Sequence, residues 1–590
     1  MRLFKNDVLD ALEAALEGID GRPDRTALEA ALSKPPKPEM GDLAFPCFPL
    51  AKALRQAPPK IAAEMAEKVE ASGLVARAQA FGPYLNFFSD AGATLAELLA
   101  GLEDGSFEAS LRTATPARVM VEFSQPNTHK VFHVGHVRNV CVGDTLQRVL
   151  RARGHDVVAA NYYGDFGIDV AKCLWGLDHF DLGEEPPAGQ RGSWLAQSYV
   201  RATAELKQAE ESGDADRLAE MRTEMRRILD AIKAGGTREE ARYQETRQWC
   251  LDEFAEVYRW FDVHFDHDFF ESELEEAGLA IVDEYLEQGT FEESQGAIVC
   301  MLEDYKLGPA LVRKSDGTSL YLTWDLVLAR RKFDDFDVER SLYVVGSEQK
   351  YHFQQLFATL ERMGYERAKD CTHVAYELVM LPEGKMSSRA GKVVTFADVR
   401  QDILAAISKR MREDERTDRS GWSEQQLQDT TDAIAVACLR YGMLSVSNTT
   451  RVVFDADDWT NLEGETGAYL LYSLARISGI HRKGGKTDPA ELSEAARAAG
   501  DFGVEAERAL LNHLLAFGSV LEQVERTTDP SPLASWLYDG AKAFSRFYHD
   551  CPVLSAEEPL RGARLALIQA TERVLGQGLS TLGIRPVEAM

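Results

Sequence analysis

A chain of 590 residues is longer than one hydrophobic core usually organises, so its length predicts three or four domains. With 45% hydrophobic residues and no low-complexity tract, it is excluded from the disordered and fibrous classes. A formal charge of −29 argues against a uniformly basic, nucleic-acid-coating surface and leaves only local basic patches for a polyanionic partner.

From Met1 to Asp20, charged and apolar residues alternate at helical spacing, which fits an amphipathic helix rather than a signal peptide. No later segment approaches membrane-spanning length, so no membrane partner is expected. The eight cysteines never form a CxxC pair; no structural zinc is expected, and their scatter fits buried thiols in a reducing cytoplasm. Residues 1–112 read as a small α/β domain with a Pro-rich break at Lys34 to Pro38 and a strand at Tyr84 to Phe88. The apolar run Arg118 to Phe123 then predicts a buried parallel strand, followed by a loop, a helix from about Gly135 to Arg153 and a second strand from Asp156 to Tyr162. That strand-helix-strand unit opens a doubly wound, nucleotide-binding sheet. Residues 178–300 look helical and charge-rich and are read as an insertion. Strand and helix alternation resumes at Leu342 to Gly346, so residues 113–397 form one interrupted α/β domain. Residues 398–590 carry helical periodicity almost to the end and predict an all-helical bundle.

The first strand-to-helix turn contains Lys130, then His133-Val134-Gly135-His136. A helix amino terminus at such a turn offers free N–H groups and a positive dipole end to phosphate. Gly135 permits close approach of the backbone, and His133 and His136 can donate hydrogen bonds to phosphate oxygens as charge develops. Taken alone, a His-x-x-His pair also fits half of a metal site, but no second cluster of Cys or His with ligand spacing accompanies it. Further along, Lys385-Met386-Ser387-Ser388-Arg389 lies in a Gly-punctuated basic loop suited to closing over pyrophosphate.

These two segments resemble the HIGH and KMSKS signatures of class I aminoacyl-tRNA synthetases. Ser388 stands where that family's second lysine is found, leaving Arg389 and Lys130 as alternative cations for the leaving group. The segments Val121 to Asn127, Ser315-Asp316-Gly317 and Tyr321 to Asp325 are similar to those with which arginyl-tRNA synthetases hold their amino acid. The resemblance implies a Rossmann-like catalytic domain in which Glu122 and Asp325 face the guanidinium, Tyr321 orders it, and Ser124, Asn127 and Gln349 address the amino and carboxylate groups. A planar cation with donors in a fixed fork calls for carboxylates of this kind. Two other readings of the same residues stay open: Tyr321 and Asp325, four apart, fit a helix-face pair, and Glu122 fits a buried acid with an internal partner.

The resemblance further implies an amino-terminal domain touching the outer corner of tRNA and an anticodon-binding domain opening near Gly464 to Ile477. The implied reaction uses ATP with Mg2+ to activate L-arginine and transfers it to the terminal adenosine of tRNA-Arg, with no metal held by protein ligands. The expected setting is a cytoplasmic monomer. A synthetase for another amino acid, or a non-catalytic tRNA-binding relative, are the rival readings.

Overall fold

The computed structural model describes residues 4–37, 40–185, 189–382, 394–413, 421–485 and 488–587. Near the amino terminus, β1 (Leu43–Pro46), β2 (Val75–Phe81) and β3 (Tyr84–Ser89) form an antiparallel sheet in the order β1-β3-β2. The helices Phe4–Ala15 and Pro58–Lys68 contribute Val8, Leu12, Ile61 and Met65 to its core, against Phe45, Leu85 and Phe87.

The next strands are β4 (Arg118–Glu122), β5 (Asp156–Tyr163), β6 (His267–Phe270), β7 (Glu292–Ser294), β8 (Ala297–Cys300), β9 (Ala310–Arg313), β10 (Arg340–Gly346) and β11 (Cys371–Tyr376). Five of them make a parallel sheet in the order β11-β10-β4-β5-β6. β4 is buried from Val119 to Glu122 because both faces are covered, as its unbroken apolar run requires. Side chains alternate across the strand, so Val119 and Val121 enter one core and Met120 the other. The chain runs outward from β4 to β5 and β6, then returns to lay β10 and β11 on β4's other side. That reversal opens a crevice at the carboxyl ends of β4 and β10, the place where ligands bind in such sheets.

The region expected to be a helical insertion is helical through Arg191–Ser212, Ala215–Ala234, Arg238–Phe261 and Glu275–Glu287, but strands interrupt it. It supplies the sheet's edge strand β6, and β7, β8 and β9 form a small antiparallel sheet of their own. Strands of three or four residues are too short for a period-2 pattern to stand out from helical surroundings, which is why this part departs from expectation.

From Phe396 onward the described residues are helical except for β13 (Val452–Val453), which pairs in parallel with β12 (Val379–Met380). One buried ion pair ties the parallel sheet to this bundle. Asp144, on the helix Val134–Ala152, meets Arg440 at 2.7 Å with both side chains fully buried. Arg440 also donates to the carbonyls of Phe261 and Leu582, so one guanidinium joins that helix, the end of the helix Arg238–Phe261 and the end of the helix Leu560–Thr581. Among the described residues no helix is long and apolar enough to cross a membrane.

Candidate active site

The helix Val134–Ala152 starts on the carboxyl side of β4, and its first turn is capped by its own histidines. The Nδ1 atom of His133 accepts from the Gly135 N–H at 3.1 Å, and that of His136 accepts from the His133 N–H at 3.1 Å. A neutral imidazole whose Nδ1 accepts carries its proton on Nε2. The rings stack with centroids 3.8 Å apart. Burial, and then the nearby Lys130 charge, push His133 down to about 4, while burial, then His133 and Lys130, hold His136 well below the usual histidine range. Both rings are therefore neutral near pH 7, each with an Nε2–H donor left over beside a helix amino terminus. Gly143 has no side chain because the Phe123 ring fills the space where a Cβ would stand, which seats this helix closely on β4.

Between strand and helix the backbone is wound left-handed at Ser124 (φ 79°), Gln125 (φ 47°) and His129 (φ 63°). Non-glycine residues hold such angles at a cost of about 1–3 kcal/mol each, and only where neighbours over-determine them. Here the Ser124 N–H donates to Asn139 Oδ1 at 2.6 Å, the Ser124 and Tyr258 hydroxyls meet at 2.8 Å, and the Gln125 N–H donates to Asn161 Oδ1 at 3.0 Å. His129 is clasped between the hydroxyls of Thr128 and Thr246, each at 2.9 Å. Asn127 lies against Gly164, where any Cβ would collide with its side-chain oxygen.

Glu122 has an internal partner. Its Oε2 lies 2.5 Å from Nζ of Lys332, and these side chains are 3% and 0% exposed. The ammonium also sits 3.5 Å from the ring centroid of Tyr343, the residue opposite Glu122 in the β4–β10 register. The other oxygen, Oε1, accepts from Gln125 Nε2 at 2.9 Å. Asp325 is placed differently: one turn into the helix Tyr321–Phe336, its Oδ2 meets His352 Nε2 at 2.6 Å, with side-chain exposures of 17% and 26%. Tyr321 begins that helix, 59% exposed, and Gln349 is exposed at the end of the turn after β10.

Four groups not singled out in the sequence join Asp325. Glu271, just past β6, is buried, and burial followed by the charges of Asp165 and Asp325 raises its pKa well above the carboxylate range. Among the described residues no cation stands within ion-pair distance of it. Tyr162 is surrounded by Asp325, Glu271, Glu122 and Asp165, whose charges add to burial in pushing its phenol up. Asp165 is fully occupied: it accepts from Arg247 Nε at 2.7 Å and from the Ser272 N–H and hydroxyl at 2.9 and 2.8 Å. His352 is the last of these partners, three residues after Gln349.

Lys130 bonds Asp169 at 2.7 Å, and Asp169 in turn meets Lys172 at 2.8 Å. Residues 385–389 lie outside the described residues. The chain re-enters at Val394, whose carbonyl accepts from the Val134 N–H at 3.2 Å, while the Phe396 N–H donates to the Phe132 carbonyl at 2.8 Å. Val394 and Phe396 are thus bonded onto the turn that carries His133.

Residues 4–89 match the arginyl tRNA synthetase N terminal domain, residues 101–456 the class I (R) tRNA synthetase catalytic domain, and residues 470–590 the DALR anticodon binding domain. The chain belongs to the arginyl-tRNA synthetase family. It is 39% identical to an arginine–tRNA ligase of Bdellovibrio bacteriovorus over the whole of both chains. It is 34% identical to one of Treponema denticola over 95% of this chain and 94% of that one. The arginyl-tRNA synthetase of Thermus thermophilus superposes over the full length of both chains with a TM-score of 0.74 and 25% identity. The synthetase fold therefore spans all three parts of this chain.

Proposed function

We propose that Asp325 and Glu271 together grip the guanidinium of arginine in this aminoacyl-tRNA ligase. The enzyme uses ATP to join arginine to tRNA, as membership of the family establishes. The observation that carries the assignment is the unanswered acidity around Tyr162: Glu122 is neutralised by Lys332 and Asp165 by Arg247, which among the described residues leaves Glu271 without an ion-pair partner and Asp325 with only a titratable one. Burial holds the Glu271 pKa up, with the repulsion of Asp165 and Asp325 added to it, and a cation entering there relieves that repulsion. Each charge-assisted hydrogen bond contributes about 1.5–3 kcal/mol, and a substrate without the fork leaves the carboxylates buried and unpaired. Tyr321 closes the outer side of this pocket.

Glu122, the other carboxylate expected to face arginine, we assign to the pocket's wall: with Lys332 it orients Gln125 and hence the wound segment holding Ser124 and Asn127. Those two residues and Gln349, at the ends of β4 and β10, address the amino and carboxylate groups. The arginine carboxylate then attacks the α-phosphorus of ATP and the bond to the β-phosphate oxygen breaks, giving arginyl-adenylate and pyrophosphate. Nε2–H of His133 and of His136 donate to phosphate oxygens as charge grows, with no proton transferred. Lys130 stands beside them, and Lys385, Met386, Ser387, Ser388 and Arg389 are assigned to the leaving pyrophosphate, with Lys385, Arg389 and Lys130 as its cations. In the second step a hydroxyl of the terminal adenosine of tRNA attacks the arginyl carbonyl carbon, loses its proton, and AMP leaves.

Mg2+ accompanies ATP as the counter-ion of its phosphates. We take the working state to be a cytoplasmic monomer, a reducing compartment being in keeping with eight buried thiols outside any disulfide. The test is tRNA charging across the twenty amino acids with Asp325→Asn and Glu271→Gln beside the wild type. Loss of arginine charging in both variants supports the pocket, and unchanged arginine charging in both rejects it.

A further inference from the structure

Asp325 does not wait empty. Its Oδ2 is held at 2.6 Å by Nε2 of His352, in the first turn of the helix Lys350–Arg362, and the ring is exposed enough to exchange protons with solvent. We propose that His352 is a placeholder for the substrate's cation: as an imidazolium it answers the charge of Asp325 in the free enzyme, and it gives up its proton to solvent when the guanidinium arrives. This rests on the assignment of Asp325 to the guanidinium.

The groups facing the ring make the placeholder cationic. On its own helix stands Lys350, and on β11 stands His373, whose Nε2 donates to the Val345 carbonyl at 3.0 Å and whose ring stacks on Phe353 at 4.4 Å. Burial, offset by that hydrogen bond, and then the neighbouring His352 and Lys350 charges hold His373 below the usual range. From the helix Tyr321–Phe336 comes Asp325, with Glu271 and Tyr162 beyond it. Burial alone would lower His352, but the hydrogen bond and charge of Asp325 outweigh it and raise its pKa. The arginine guanidinium does not titrate, so when two cations compete for one carboxylate the imidazolium is the one that can leave as a neutral ring. A group protonated in the free enzyme and neutral in the complex makes ligand affinity fall as pH falls through its free-enzyme pKa.

The test is the KM for arginine in tRNA charging between pH 8 and pH 5.5, for wild type and His352→Gln, whose amide keeps a donor toward Asp325 and carries no charge. The wild-type KM is expected to climb more steeply toward low pH than that of the variant, by up to about tenfold per unit below the pKa, with the ratio of their kcat values constant. Glu271 can release a proton of its own, so the difference between the two curves is the readout. Should His352→Gln and His352→Asn both fail to fold, calorimetry of arginine binding to Glu271→Gln in two buffers counts the proton directly. One released proton supports the placeholder; parallel KM curves, or no proton, overturn it. An arginine KM unchanged in Asp325→Asn would instead defeat the pocket assignment itself.

Discussion

Glu122 and Asp325 are carboxylates of one crevice, and they differ in what answers their charge. Glu122 meets a lysine as buried as itself, backed by the face of Tyr343; no ligand can displace Lys332 without exposing an ammonium to an apolar interior. Asp325 meets a half-buried imidazole that can lose its charge by losing a proton. Glu271 is the extreme case, lacking even that among the described residues. A carboxylate whose partner is permanent helps to build a wall, and one whose partner can leave is able to receive a cation.

The largest expected effect that sharpens this comparison is on stability. Lys332→Met strands the Glu122 charge and should lower stability by about 3–5 kcal/mol, read as a fall in Tm. Adding Glu122→Gln should restore most of it; a double variant no better than the single one would break the wall assignment. Glu271→Gln comes next, with the opposite signature: arginine KM rises by about 10- to 100-fold, while Tm holds or rises because a repelled buried carboxylate is gone. The sign of its pH dependence follows. The folded-state pKa of Glu271 lies above the unfolded one, so its contribution is fully present below the unfolded pKa and is lost as pH rises through the folded value. Unfolding of the arginine-free wild type from pH 4 upward should show that loss, and Glu271→Gln should lack it. The smallest effect is a control far from both acids. Thr466 caps the helix Gly467–Gly484 by accepting from the Tyr469 N–H at 3.1 Å, so Thr466→Ala should lower stability by about 1 kcal/mol and leave arginine KM alone.

What the sequence made legible was set by near neighbours. The turn at His133 to His136 reads as a helix start because its caps lie within three residues, and β4 reads as a buried strand because its apolar run is unbroken. The resemblance made Glu122 a ligand of arginine, with a partnered acid as the other reading, and Lys332 was not visible as its partner because it reaches Glu122 only through the β4–β10 register and the packing of the helix Tyr321–Phe336. Glu271 was hidden for a related reason. It follows a four-residue strand inside a charge-rich stretch, and only the pairing of β6 with β5 brings it to Tyr162. His352 sits in plain view three residues after Gln349, yet nothing local marks it until Asp325 is found beside it.

The most direct test of this division between wall and ligand is kcat/KM for arginine in Asp325→Asn, measured beside the charge-free Glu122→Gln/Lys332→Met double variant. The prediction is a loss on the order of 100-fold for Asp325→Asn and a double variant within about threefold of the wild type. The reverse ranking, with Asp325→Asn active and the double variant unable to select arginine, would contradict it.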